Sequence, residues 1–569
     1  MKILWRKKSY DKAIFDIVKT RYKKNDLIST LVANRGINED EVESFLKPDI
    51  KGFYSPFDLP NMDKAASRII DAINKKENIL IFGDYDVDGM TSTTVLYKYL
   101  TERGLNPKYY IPNKIDEGYG LSVESIDNIL DEYKGENKIN LIITVDCGIT
   151  SLEEVEYAKE NGLDIIITDH HEPLEELPDA IAVVDPKIES NLNKAKFREL
   201  AGVGVAFKLI VGISEKLNLD QNSYLKYLDI VALGTISDIV PMLSENRIIQ
   251  KNGLEMFKKS SNPAISLLYN KYINEFNEST ISFQIAPRIN ASGRLGKEEV
   301  AMKFLLSKTE SEAEKYFNIL DEINEERKLL SNKIYDEAVF EIKENNLQDK
   351  SIIILVNKEW HSGVTGIVAS KIVDQFKRPT IVFSIEDGVA KGSGRTIPGV
   401  NIYNLVKTAD ELLLEFGGHE KAVGLSLEED KISKLKEILE EKICEKPLEM
   451  IVEYDYEIDF RTITYDTLKE IEEISPFGEK NAKPDFLFRN VEVTSINVYG
   501  SMLKLGLRQN GINLIGIGFG LGLKQEDLKT KLNIGDKIYL IGKIEENIYM
   551  DRSTIQINMK EYNLLKNRV

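Results

Sequence analysis

Between residues 66 and 185, short apolar runs recur at intervals filled by helical patterns: NILIF, KYYIP, NLIITV, DIIIT and AIAVV. Short Ile- and Val-rich runs read as strands, and strands that alternate with helices build βαβ units around a parallel sheet. This alternation places the chain in the α/β class. It also says where a ligand would sit, because open α/β sheets bind outside the carboxyl ends of their strands. Polar residues follow each run: Asp84, Asp86 and Asp88; Asn113; Asp146; Asp169-His170-His171; and Asp185.

The first of these clusters, in IFGDYDVDGM at 81–90, sets three carboxylates at alternate positions. If the chain stays extended past Gly83, the three side chains share a face. Two carboxylates about 4 Å apart at an effective dielectric of about 20 repel by about 4 kcal/mol, so the cluster calls for protons, cations or water between its members. A solvated acidic turn meets that need as well, and the spacing alone does not choose.

A chain of 569 residues is too long for one core, and about three or four domains are expected. Residues 1–60 read as an N-terminal helical segment and 61–304 as the parallel-sheet domain. The Glu/Lys-rich stretch 305–346 lacks Pro and Gly and reads as a long connecting helix. A second α/β domain, 347–445, contains SIIILV, a Gly-containing turn, a helix around 365–376 and PTIVFS. From 446 to 569, short alternating strands with Gly and Asn turns suggest a small β-barrel.

The composition, 42% hydrophobic and 30% charged, is that of an ordinary soluble protein. No apolar stretch has membrane length, and MKILWRKKSYDK turns polar before a signal core could form, so a cytoplasmic protein is expected. Cys147 and Cys444 are the only cysteines, which excludes a disulfide framework and Cys-rich zinc or iron-sulfur sites. Lys and Arg total 75 against 93 acids, a net charge of −18, which argues against nonspecific coating of nucleic acid. Residues 501–569 nevertheless carry 11 Lys/Arg and seven acids, a net +4 that leaves room for a polyanion. No heptad seam or apolar interaction patch is evident, so a monomer is expected.

The four histidines, His170, His171, His361 and His419, all lie in Gly-, Asp- or His-rich turns. Each alone is readily a packed or capping residue; together they point to metal ligation or proton transfer. Cys147 has no base adjacent in sequence and reads as a small buried residue. Asp238, in LGTISDIVP, lies where it could cap a helix or bind a ligand.

GDYDVDG, VDCG, TDHH and GTISDIVP resemble, in order and spacing, the four motifs of the DHH phosphoesterases. PRINASGRLG, EWHSGVTGIVASK, KGSGRTIPG and GGHEKAVG resemble the signatures of the bacterial RecJ branch, the last three in its DHH-associated domain. SPFGEKNAKPDFLF is similar to the opening of that branch's oligonucleotide-binding barrel, and the resemblance runs from about residue 30 to 565. It implies a parallel-sheet DHH domain and an α/β DHH-associated domain joined by the long helix, with a C-terminal OB-type β-barrel.

The resemblance also implies a two-metal centre. Asp86 would ligate the first metal and Asp88 the second, Asp146 would bridge them, and His170 and Asp238 would complete the second site. Asp84 is either a further ligand or a residue behind the ligands, and Asp169 would orient His170. Many DHH proteins carry a histidine four residues before the position of Asp86, where this chain has Phe82. The first metal would then take water or substrate instead, or Asp84 would replace the histidine. Carboxylates and imidazole without thiolate suit two Mn²⁺ ions, with Mg²⁺ as a substitute. His171, off the metals, would donate toward the phosphoryl or leaving oxygen.

In the second domain the turn Gly363-Val364-Thr365-Gly366 would offer N–H groups to a phosphate. Ser393 and Arg395 supply a hydroxyl and a fork that fit a terminal 5′-phosphate. His361 and His419 would line the same cleft, although the glycines taken singly also fit plain turns. Arg288 and Arg294 are candidates for backbone-phosphate contacts. Tyr499, Phe519 and Tyr549 would stack bases or fill the barrel. The expected function is a metal-dependent 5′ to 3′ exonuclease degrading single-stranded DNA to mononucleotides in DNA repair and recombination. A helicase and a single-strand-binding protein are the expected partners. The alternative is a DHH phosphoesterase acting on short oligoribonucleotides or cyclic dinucleotides. A strand-binding subunit that has lost its metals is disfavoured, because Asp86, Asp88, Asp146, His170 and Asp238 are all present.

Overall fold

Strands that are apolar on both faces need a core on each side, and the first sheet has two. After an N-terminal strand, β1 (Lys2–Lys7), the sheet contains β2 (Ile79–Gly83), β3 (Lys108–Tyr110), β4 (Leu141–Val145), β5 (Asp164–Thr168) and β6 (Ala182–Val184). The spatial order is β3-β2-β4-β5-β6, and every neighbouring pair is parallel. Ile79, Ile81, Ile143 and Ile166 pack on one face with residues of the helices Met62–Lys75, Val87–Glu102 and Gly202–Lys216. Leu80, Phe82, Ile142 and Ile167 point into the opposite core. This two-sided burial is why the strands read as unbroken apolar runs. The chain leaves β2 for β3 on one side and returns as β4 on the other. The crevice beyond the carboxyl ends of β2 and β4 is therefore a topological switch point.

This computed structural model describes all residues except 1, 114–116, 119, 189–196, 445–448, 526–529, 550–551 and 566–569. They form two compact units, one of 43–331 with 478–481 and one of 1–42, 332–477 and 482–569. The Glu/Lys-rich stretch is a single helix, Glu310–Glu344. No helix among the described residues is long and apolar enough to cross a membrane.

In the second unit, β7 (Ile353–Asn357), β8 (Thr380–Glu386), β9 (Val389–Arg395), β10 (Glu415–His419) and β11 (Ala422–Glu428) form a sheet in the order β10-β11-β9-β8-β7. Only β7 and β8 are parallel, joined through the helix Thr365–Phe376, and the rest are antiparallel. β12 (Glu449–Tyr454) then leads to β13 (Tyr456–Glu457), β14 (Phe486–Tyr499), β15 (Met502–Gln509), β16 (Ile512–Gly518), β17 (Lys537–Tyr549) and β18 (Arg552–Leu564). Pairing of β14 with β17 closes these strands into the barrel, whose interior is filled by Val491, Val493, Leu503, Leu505, Leu507, Leu540 and Ile557. Closure leaves the long strands without free edges. Tyr499 and Phe519 are not part of this core, being 60% and 71% exposed. The side chain of Tyr549 lies outside the described residues.

The N-terminal stretch is helical at Lys12–Thr20 and Asp26–Ala33, but it opens as a strand. β1 pairs in parallel with β12, more than 440 positions away in sequence. Buried Asp455 secures the joint, accepting from Lys8 Nζ (3.0 Å), Asn34 Nδ2 (3.1 Å) and the Asp485 N–H (2.9 Å), with Arg35 Nη1 at 3.5 Å.

Candidate metal centre

β2 ends at Gly83, and the chain does not stay extended as the alternating carboxylates suggest. Asp86 instead caps the helix Val87–Glu102, accepting the Gly89 N–H at 3.1 Å, and Asp88 lies in its first turn. A turn and a helix start thus gather the carboxylates, because helix capping satisfies N–H groups that an extended strand would leave open. Gly89 permits the fold: a Cβ there would lie 2.5 Å from the Asp84 carbonyl oxygen. The PRINASGR segment braces the loop from outside. Asn290 Oδ1 accepts the Val87 N–H at 3.1 Å, and a Cβ on Gly293 would collide with the Tyr85 carbonyl.

Asp146 follows directly on β4, and its φ of 63° is rare for a residue with a side chain. Its N–H donates to the Thr168 carbonyl at 3.0 Å, tying this turn to the end of β5. Asp84, Asp86 and Asp146 each bring a carboxylate oxygen within 4.8 Å of the others. Asp88, His170 and Asp238 form a second such group, and His170 and His171 form a third with Asp146.

His170 is set by the Leu200 carbonyl, 3.0 Å from its Nδ1, which makes Nδ1 the donor and leaves the Nε2 lone pair exposed. Nε2 lies 3.1 Å from Asp146 Oδ1, 3.7 Å from Asp238 Oδ2 and 3.9 Å from Asp88 Oδ2. Asp169 does not orient this ring. Its Oδ1 takes the His170 N–H at 2.7 Å and His171 Nδ1 at 2.7 Å, while Oδ2 takes the Ile149 N–H at 2.9 Å. The reason is local geometry: a carboxylate at the start of the turn reaches the ring two residues on, whereas the His170 ring points across to Leu200.

Helix ends set the charges. Asp88 accepts the Gly202 and Val203 N–H groups at 2.7 and 2.8 Å, at the positive end of the helix Gly202–Lys216. Asp238 sits at the carboxyl end of Leu228–Ser237, where the dipole disfavours an anion. Burial, then the neighbouring carboxylates, pushes Asp146 and Asp238 well above the usual carboxylate range, and Asp88 rises to about 7 for the same reasons. Burial and then the charge of His171 lower His170 to about 3, so it remains neutral. Asp238 Oδ2 is buried without a hydrogen-bond donor among the described residues.

A bare imidazole nitrogen facing three carboxylates is a repulsive arrangement that a cation relieves. The residues therefore fit divalent metal, and hard oxygens with one imidazole suit Mn²⁺ or Mg²⁺. Phe82 is no ligand: it stacks on Tyr110, with centroids 5.4 Å apart, in the core on the far side of the sheet. Cys147 is also buried there, its Sγ 3.9 Å from the Phe82 carbonyl. His171 keeps 46% of its side chain exposed. Burial works against its proton, but the charge and hydrogen bond of Asp169 prevail and raise it to about 9.

Several contributors are not marked by any motif. A Cβ on Gly202 would collide with Asp146 Oδ1, and one on Gly234 would collide with Thr91 Oγ1 and lie 3.1 Å from Asp88 Oδ1. Leu200 acts only through its carbonyl. In sequence, AGVGVAF shows a Gly-rich helix start and nothing of what it faces. Of the two arginines, Arg288 is bound to Asp321 and to the Gln284 carbonyl. Arg294 lies by Tyr85 and Asp86, which partly offset the downward push of burial on its guanidinium.

The second unit gathers the other candidates at the start of the helix Thr365–Phe376. His361 Nδ1 accepts the Gly363 N–H at 3.1 Å, and Thr365 Oγ1 lies 3.1 Å from Ser393 Oγ. A Cβ on Gly366 would lie 2.9 Å from Arg395 Nη2, so glycine lets the guanidinium close on the helix start. His419 lies across β11 from Arg395, through the pairs His419–Ala422 and Ala422–Arg395. Burial and then the Arg395 charge lower its pKa.

Three family models match the chain: the DHH family N-terminal domain at 78–235, the DHHA1 domain at 349–445 and the RecJ OB domain at 454–561. The single-stranded-DNA-specific exonuclease RecJ of Bacillus subtilis is 37% identical over 548 residues, covering 94% of this chain and 67% of that protein. The crystal structure of RecJ in complex with Mn²⁺ from Thermus thermophilus superposes with a TM-score of 0.84 at 27% identity, covering 99% of this chain and 80% of that one. The Mg²⁺ complex of RecJ from the same organism gives a TM-score of 0.78 at 25% identity, covering 99% and 78%.

Proposed function

The chain belongs to the RecJ family of single-stranded-DNA-specific exonucleases, and from that membership we propose a division of labour among its residues. The protein is a metal-dependent nuclease that acts on single-stranded DNA. The observation that carries this reading is the pair of ligand groups, Asp84/Asp86/Asp146 and Asp88/His170/Asp238, side by side at the switch point of the sheet. The first group would hold one Mn²⁺ and the second another, with Asp146 between them and Asp84 in the role that a histidine plays in other DHH proteins. Mg²⁺ can substitute. When bound, the cations supply Lewis acidity toward the phosphoryl oxygens and lower the pKa of water.

The chain's own residues do the rest. His171, held by Asp169 with half its ring open to solvent, carries a proton that it can donate to the phosphoryl or leaving oxygen. His170 stays neutral and keeps its Nε2 lone pair on the cation side. In the second unit, Ser393, Arg395 and the Gly366 N–H would take the 5′-phosphate, with His361 and His419 beside them, the Gly363 N–H being already given to His361 Nδ1. Arg294 would meet the strand's backbone, whereas Arg288 already serves Asp321. The outer face of the barrel offers Ile515 and Ile517 on β16 and Phe519 just after it, next to Lys504 on β15 and close to Tyr499, a surface suited to stacking bases along a charged strand. Degradation would run 5′ to 3′ and release mononucleotides. The enzyme would act as a cytoplasmic monomer beside a helicase and a single-strand-binding protein. The domains would be 61–304, 347–445 and 446–569, with 1–60 leading in and 305–346 connecting.

The test is degradation of 5′-labelled and 3′-labelled single-stranded DNA in Mn²⁺, Mg²⁺ or EDTA, with Asp146→Ala as control. Immediate release of the 5′ label as a mononucleotide, only with metal and not by the variant, supports the assignment. Intact long DNA together with hydrolysis of two- to five-nucleotide RNAs or cyclic dinucleotides would overturn it.

A further inference from the structure

The turn after β6 brings a cation to the rim of the metal centre. Asp185, fully buried, accepts the Lys187 N–H at 2.6 Å, and the intervening Pro186 fixes the backbone, so the root of Lys187 is held. The Lys187 side chain is only 19% exposed, and its Nζ lies 3.5 Å from Glu172 Oε1, longer than a hydrogen bond. Arg198 Nη2 shares the same oxygen at 3.2 Å. Glu172 is the residue after His171 and is 67% exposed, so two cations converge on one solvent-facing carboxylate beside the centre. The charge of Lys187 reaches His170, His171 and Asp238, which lie on two different segments.

Electrostatics gives these cations a task. Asp84, Asp86, Asp88, Asp146, Asp169 and Asp238 bring six negative charges, two divalent cations return four and protonated His171 returns one, and the remaining −1 repels every incoming phosphodiester. A substrate strand needs positive charge near the centre that the carboxylates have not already neutralised. Because Glu172 lies beyond His171, the cations flank the reaction site instead of entering it, and they would meet a neighbouring phosphate.

We propose that Lys187 and Arg198 form a subsite for the phosphodiester next to the scissile one, and that Glu172 holds both cations until the strand displaces it. This rests on the nuclease reading above. Such a subsite binds ground state and transition state alike, so its loss raises KM and leaves kcat nearly unchanged.

The experiment measures Mn²⁺-dependent cleavage of oligo-dT by the full chain, and equilibrium binding of fluorescein-labelled oligo-dT at several salt concentrations in the inactive Asp146→Ala background. Lys187→Met should raise KM about five- to tenfold with kcat within about twofold. It should also reduce the slope of log Kd against log salt by about 0.7, the counterion release of one single-strand phosphate. Lys187→Arg should restore both values, and Glu172→Gln, which removes the competing anion, should tighten binding. An unchanged salt slope in Lys187→Met, or weaker binding in Glu172→Gln, would overturn the subsite while a cleaving wild type leaves the nuclease reading intact. A wild type that does not cleave oligo-dT would overturn both.

Discussion

At the scale of single residues, the centre depends on glycines as much as on ligands. A methyl group at Gly202 would meet Asp146 Oδ1 and must push the carboxylate or the helix start aside. Displacing a ligand by about 1 Å costs orders of magnitude in rate, so Gly202→Ala should lower kcat by about a hundredfold or more. Circular dichroism should show the fold retained, and Mn²⁺ titration should show weakened affinity. The metal-free state carries a second consequence. Asp88, Asp146 and Asp238 have folded pKa values raised by burial and mutual repulsion. Their contribution to stability is complete below the unfolded value, about 4, and is lost as pH rises through the folded value, about 7 for Asp88. In EDTA the melting temperature should therefore fall from pH 6 to pH 8, and Mn²⁺ should stabilise more at pH 8 than at pH 6. The candidate acid and histidine ligands were legible through the motifs that carry the family resemblance, since spacing alone also allowed a solvated acidic turn. Gly202 and the Leu200 carbonyl were not, since their roles arise from contacts between segments distant in sequence. Asp169 shows the same limit: the resemblance placed it behind His170, but only the turn geometry shows that its carboxylate holds the His171 ring.

At the scale of elements, apolar runs located the strands of the first sheet to within a residue or two, because burial on both faces leaves an unbroken pattern. β1 was missed. KILWRK alternates weakly, and its partner β12 lies at the far end of the chain, so no local signal marks the pairing. The DYDVD segment misled for a related reason: alternation suggested an extended strand, but Asp86 found N–H groups to cap. The joint around Asp455 yields a prediction of its own. Arg35 and Asp455 are almost wholly buried, so Asp455→Ala leaves a buried guanidinium short of a counter-ion and should cost about 3–5 kcal/mol. Denaturant unfolding should show the transition of the barrel-containing unit shifted, with that of the sheet unit unmoved. The exposed aromatics of the barrel behave differently. Phe519→Ala should weaken binding of long single-stranded DNA by about 1–3 kcal/mol without altering its salt slope, because stacking releases no counterions. Filter binding across salt concentrations separates the two.

At the scale of the whole molecule, the chain combines a net charge of −18 with local provision for a polyanion. That combination suits an enzyme that engages a strand at defined points and does not coat it. Composition could bound the class of protein, and the order of the motifs could identify the family. The arrangement of the candidate ligands required the folded sheet, because its switch point brings Asp84 and Asp146 together across 62 positions of sequence. The central claim is that this carboxylate cluster is a centre for two divalent cations that hydrolyses single-stranded DNA. Calorimetric titration of the metal-free protein with Mn²⁺, followed by a single-stranded DNA degradation assay on the same samples, tests it directly. The account predicts two equivalents bound by the wild type, one by Asp238→Ala, and degradation only when both sites are filled. One equivalent in the fully active wild type, or full activity in Asp238→Ala with a single ion, would contradict it.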